Sequence, residues 1–118
     1  MTVKDIKEIL DADILAGSDR LDGIVSSACG SDMMSDVLAF VKDHSVLLTG
    51  LVNTQIVRTA EMMDMTCIVL VRGKIPDENI ISLANERGIV LMTTKYRMYT
   101  ACGLLYKNGL TAEGTDKV

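Results

Sequence analysis

A chain of 118 residues is the length of one domain, and at 48% hydrophobic residues it can bury a core without help from disulfides or metal. A net charge of -4, three Tyr, one Phe and no Trp provide neither the basic footprint nor the stacking rings that nucleic acid demands, so nucleic acid is excluded as a partner. The longest nearly uncharged run, Ser45 to Val57, is broken by Gly50, Asn53, Thr54 and Gln55. It falls short of the roughly 20 apolar residues of a bilayer span, and the start MTVKDIKEIL has no secretion-signal pattern, so no membrane is involved and the expected location is cytoplasmic.

Thr2 opens a short helix, with Asp5 three residues on in capping-box fashion. Strand patterns follow at Ala12–Ala16 and Gly23–Ala28. Ser31 is placed to cap a helix reaching about Asp43, with Met33, Met34, Val37, Leu38 and Val41 on one face. After a strand at Val46–Thr49, Asn53 caps the next helix and Ile56, Val57, Ala60 and Met63 point inward. A strand at Cys67–Val71 leads to a helix with Pro76 at its first position, Asp77 and Glu78 at the positive end of its dipole, and Gly88 closing it. The last strand, Ile89–Met92, precedes a helix over Lys95–Lys107 that ends at Asn108-Gly109. The stretch LTAEGTDKV beyond reads as a frayed tail, with residues 111–118 flexible and residues 1–110 forming the domain. Strands alternating with amphipathic helices, the last three of them apolar on both faces, predict a small single α/β domain: a mostly parallel sheet of four to five strands with helices on both faces.

The final helix carries more apolar surface than one face can bury. Met98, Ala101, Cys102 and Leu105 make a core stripe, and Tyr99, Leu104 and Tyr106 widen it. Two covers are open to it: a second helix of the same chain, or a second copy meeting Met98, Tyr99, Leu104 and Tyr106 in a homodimer.

In open α/β sheets ligands bind beyond the carboxyl ends of the strands. The turns expected there hold Gly30 and Ser31, then Thr49, Gly50 and Asn53, then Arg72, Gly73 and Lys74, then Thr94 and Lys95. Three cations, hydroxyls and backbone N–H groups at helix starts suit a small anion such as a nucleotide. Against that, no turn has the glycine spacing of a dinucleotide or P-loop fingerprint, Asp32 sits where an anion would approach, and capping alone selects the same residue types. Catalytic candidates are weaker. His44 is expected at the opposite end of the sheet as a helix C-terminal cation. Cys29 is expected in a loop beside a helix start but has no histidine to serve it as base. Asp11, Asp13, Asp19 and Asp22 lack calcium-loop spacing. The three cysteines, widely spaced with a single histidine in the chain, read as buried small apolar residues, and no cofactor or metal is implied.

The order ACGSDM, LLTGLVNTQIVRTAE, then CIVLVRGKIPDENIISLANERGIVLMTTKYRMYTACGLL resembles the DRTGG domain over nearly the whole chain. The family is named for an Asp-Arg pair in the turn after one strand and a Thr-Gly-Gly in the turn after the next. The corresponding turns here read Gly50-Leu51-Val52-Asn53 and Val71-Arg72-Gly73, so only Gly50 and the final Gly73 survive of the family's pattern. The resemblance implies a regulatory or adaptor module rather than an enzyme, a homodimer whose partner is a cytoplasmic enzyme or regulatory protein. Two other readings stay open: an enzyme related to phosphotransacetylases acting on a phosphorylated or acyl-phosphate substrate, and a structural dimerisation subunit with no small-molecule ligand.

Overall fold

The computed structural model describes residues 1–41 and 44–112. The chain folds as α1 (Val3–Ile9), β1 (Asp13–Ala16), β2 (Ser27–Gly30), α2 (Met34–Phe40), β3 (Ser45–Thr49), α3 (Thr54–Met62), β4 (Cys67–Leu70), α4 (Glu78–Arg87), β5 (Val90–Thr93) and α5 (Met98–Lys107). The strands form one five-stranded sheet in the order β1-β5-β4-β3-β2, parallel from β2 to β5 and antiparallel only at β1.

The layering follows from that order. The three crossovers β2-α2-β3, β3-α3-β4 and β4-α4-β5 all step in the same direction, and since such crossovers are right-handed, their helices must share a face. Val37 of α2, Ile56, Val57 and Ala60 of α3, and Ile80 and Ala84 of α4 pack there with Leu47, Ile68, Leu70 and Leu91 of the strands. Val3 and Ile6 of α1 and Ala101 and Leu105 of α5 cover the other face, against Val46, Leu48, Cys67, Val69, Val90 and Met92. Successive strand residues thus alternate between two cores, which is why β3, β4 and β5 are buried along their whole length and read as apolar runs rather than as alternating patterns.

The capping chemistry is as read at four places. Thr2 and Asp5 form a complete capping box, Asn53 Oδ1 accepts from Ile56 N at 3.3 Å, Gly88 closes α4 in the left-handed region at φ 73°, and Asn108 ends α5.

Several boundaries differ from expectation. The second strand is Ser27–Gly30 rather than Gly23–Ala28, because Gly23–Val25 tie the chain's beginning down: Val3 N donates to Gly23 O at 2.9 Å and Val25 N to Met1 O at 2.8 Å. Helix α2 starts at Met34, not after Ser31, and ends where Val41 turns extended; Lys42 and Asp43, to which the reading extended it, lie outside the described residues. Pro76 precedes the α4 cap instead of opening the helix, and Asp77 is itself the N-cap, accepting from Ile80 N at 3.0 Å. Helix α5 begins three residues later than Lys95, since the intervening segment is held elsewhere: Arg72 N donates to Tyr96 O and Gly73 N to Thr94 O, both at 2.8 Å. Leu110, read as frayed, is buried, and the Thr111 carbonyl accepts from Ala28 N at 3.1 Å on the outer edge of β2. The remainder of the expected tail, 113–118, lies outside the described residues.

Candidate functional site

Because β2, β3, β4 and β5 run parallel and in step, Gly30, Thr49, Leu70 and Thr93 end on one edge. The antiparallel β1 brings its beginning, Asp13, to the same edge opposite Thr93. All the turns named above therefore meet at this rim, but their residues divide into three local arrangements.

The first is at Gly50. Thr49 is fully buried, and its hydroxyl donates to Asp32 Oδ1 at 3.0 Å while accepting from Leu51 N at 3.1 Å. Gly50 N donates to the same Asp32 oxygen at 2.7 Å, the short length of a charge-assisted bond. The Arg72 guanidinium lies against Gly50, in the space a Cβ there would occupy. Arg72 reaches it from a left-handed backbone position, φ 62°, followed by Gly73 at φ 66°. The Gly50 amide foremost, with the Thr49 hydroxyl, Arg72 and Lys74, holds the Asp32 carboxyl below the usual carboxylate range, against a smaller opposing effect of desolvation. One carboxylate from the β2–α2 turn thus fills the place on the β3–α3 turn where an anion was expected.

This engagement explains the late start of α2. Ser31 and Asp32 are both cap-competent, yet α2 has Met33 at its N-cap and no side-chain cap bond. Asp32 is turned toward Gly50, and the Ser31 hydroxyl accepts from Met33 N at 3.0 Å in a local turn. Forgoing a side-chain cap costs α2 about 1 kcal/mol, which the charge-assisted bonds at Gly50 offset.

The second arrangement is at Thr94. Its buried hydroxyl donates to Leu10 O at 2.7 Å, tying the rim to the end of α1, and Thr93 Oγ1 donates to Lys74 O at 2.8 Å. Beside them lies a cavity of about 570 Å³ bordered by Asp11, Asp13, Gly73, Ile75, Lys95 and Tyr96 among others. Lys95 faces this cavity, whereas Arg72 serves Gly50; the three cations read as one cluster share an edge and split between its two halves. Asp13 and Ile75 were not in the expected set. An antiparallel edge strand is what brings Asp13 here, and the sequence carries no local sign of that pairing.

The third is at Gly30. An ideal Cβ there would stand 2.7 Å from Cys102 Sγ and 3.3 Å from Met98 Sδ, so this glycine admits α5 to the edge of the sheet. Asn53 caps its own helix through Oδ1.

The thiols are poorly suited to nucleophilic work. Cys29 lies within β2 rather than in the following loop, and only half-buried; burial, with Cys102 and Asp36 nearby, pushes its pKa up. Cys102 is also half-buried and raised, and only Cys67 has the full burial expected of all three, pushed up to about 12. His44 lies ahead of β3, at the opposite end of the sheet from the rim, as expected. Among the described residues no group of three or more His, Cys, Asp or Glu is placed to hold a metal ion, and no helix is long and apolar enough to cross a membrane.

An edge of turns satisfied from one loop to the next, over a doubly covered parallel sheet, defines a small α/β module. The chain belongs to the DRTGG domain family, whose model matches residues 5–107. It is similar to the crystal structure of the CBS and DRTGG domains of the regulatory region of Clostridium perfringens pyrophosphatase, complexed with its activator diadenosine tetraphosphate. That likeness has a TM-score of 0.73 at 18% identity and covers 99% of this chain and 55% of the other, so this chain spans about half the length of that one. No curated protein matches the chain.

Proposed function

We propose that the protein is a regulatory or adaptor module that acts as a homodimer through α5 and has no catalysis of its own. The observation that carries this is the outer face of α5. Tyr99 is 90% exposed and Tyr106 61% exposed, beside half-buried Met98 and Leu104, although the same helix is anchored by buried Ala101 and Leu105. Large rings held in water on a rigid helix are the residue type that dominates interfaces. The raised thiols support a non-catalytic role, as does the use of rim hydroxyls and amides in internal bonds. A cytoplasmic enzyme or regulatory protein is the fitting partner, by analogy with the regulatory region of the pyrophosphatase.

Sedimentation velocity at micromolar concentration tests the dimer. The wild-type chain should sediment as a dimer and the Tyr99→Ala, Tyr106→Ala double variant as a folded monomer. A wild-type monomer would remove the proposal.

A second reading is favoured by the cavity beside Thr94. Its volume lies within the range of small-molecule sites, and Lys95 and Tyr96 offer a cation and a ring to a ligand such as a nucleotide. A thermal-shift panel of nucleotides should raise the midpoint of the wild type and not of Lys95→Ala; no shift anywhere leaves the structural-subunit alternative standing.

A further inference from the structure

The Gly50 turn goes beyond that reading. The hydroxyl of fully buried Thr49 at 3.0 Å and the Gly50 amide at 2.7 Å meet on one Asp32 oxygen, the Arg72 guanidinium lies against Gly50 from a third loop, and Lys74 is close enough to act on the same carboxylate. Two neutral donors on one oxygen, with two cations beside the turn, form a cradle for a phosphate-type anion, and the oxygen there belongs to the chain. Asp32 is an exposed residue that reaches in from a neighbouring turn, so it can leave without disturbing either core. Its departure would free a residue two positions ahead of α2, a helix that lacks a side-chain cap.

We infer that Asp32 is an autoinhibitory plug: an external phosphate group occupies the Gly50 cradle only by displacing the Asp32 carboxylate, and that exchange releases the Ser31–Met33 turn and the start of α2. Occupancy of the rim is thereby reported on the outer surface of α2. The released Asp32 then lies one residue ahead of the helix cap, where a carboxylate is favoured by the helix dipole. The plugged and released states therefore differ by a swap of partners rather than by a loss.

The test is a titration of the ¹⁵N-labelled full chain with inorganic phosphate at constant ionic strength, with chloride as control, following the Gly50 amide and those of residues 34–37. In the wild type, phosphate should move the Gly50 and α2 resonances together and weakly. In Asp32→Ala the Gly50 response should saturate at a phosphate concentration about tenfold lower or less, since the competing charge-assisted bonds are gone. Asp32→Asn, which keeps an oxygen acceptor and loses the charge, should fall between the two and serves if the alanine variant does not fold. Adding Arg72→Ala to either should abolish the gain. Phosphate affinity unchanged by both Asp32 substitutions would overturn the inference, as would a gain that survives the loss of Arg72. Because the dimer and the Lys95 cavity play no part in this readout, its failure leaves the readings of α5 and of the cavity untouched.

Discussion

Gly30 offers the sharpest test of how the rim is built. The sequence suggests a ligand-binding glycine, and the structure makes it the seat of α5. The perturbation is Gly30→Ala. The added methyl would sit 2.7 Å from Cys102 Sγ, closer than carbon and sulfur approach, and 3.3 Å from Met98 Sδ. The methionine can yield along a flexible chain, but the Cys102 sulfur is one bond from its own Cβ and moves only by a rotamer change or a shift of the helix. Overpacking of this kind costs roughly 1–3 kcal/mol. Since Gly30 is not among the residues at positive φ, alanine recovers about 0.4–1 kcal/mol by restricting the unfolded chain. The net expectation is a loss of about 1–2 kcal/mol, which at this chain length lowers Tm by roughly 4 °C per kcal/mol. Urea unfolding, read as a change of midpoint at constant slope, measures it. The decisive arm is Cys102→Ala, which removes the clashing sulfur. In that background Gly30→Ala should cost nothing or stabilise slightly, giving a coupling of about 1 kcal/mol or more between the two positions. Additive losses, or a single variant as stable as wild type, would refute the assignment of Gly30 to helix seating.

Two further predictions concern ionisable groups. Asp5 and Asp32 both have folded pKa values lowered from 3.8, Asp5 chiefly by the Thr2 backbone amide and Asp32 chiefly by that of Gly50. Depressed carboxylates stabilise the fold above their unfolded value and lose that contribution as pH falls through the folded one, so urea midpoints should decline between about pH 5 and about pH 3. The decline should be shallower in Asp32→Asn, and a midpoint that rises toward acid would contradict both assignments. Cys67, fully buried with its pKa pushed up to about 12, should resist a thiol reagent that modifies half-buried Cys29 and Cys102, and should react only in urea. Its modification ahead of the other two in native buffer would refute its place in the core.

What could be read from sequence was whatever one segment decides by itself. The runs at β3, β4 and β5 are apolar on both faces because helices cover both, and the alternation with helical segments then fixes a parallel order. Asn53 and Gly88 act on amides and carbonyls within one turn of themselves, and they were legible for that reason. Three of the misplacements occur where a backbone group is claimed from far along the chain. Gly23 and Val25 pair with the chain's first residues, Tyr96 and Thr94 with the turn at Arg72, and Ala28 with Thr111. The first two take residues out of the strand or helix that their own neighbours would favour, the third ties down a segment expected to fray, and no local periodicity records any of them.

The same competition accounts for the Gly50 turn. In the family pattern an Asp-Arg pair follows the strand directly; here Leu51 and Val52 stand in that turn, half-buried against the core shared by α2, α3 and α4. A turn that has given its own side chains to packing still has an amide and a buried hydroxyl to satisfy; Asp32 from the preceding turn accepts from both, and Arg72 from the following turn lies over Gly50 beside that carboxylate. Three consecutive strand-to-helix turns are thereby linked, so a change at any one is felt by the other two. Arg72→Ala should accordingly weaken the hold on Asp32, with no contact between α2 and residue 72 needed to carry the effect. The observable is the Gly50 amide resonance, which should move toward its position in Asp32→Ala. An Arg72→Ala spectrum unchanged at Gly50 and at Asp32 would show that the guanidinium merely lies over the turn and takes no part in holding it.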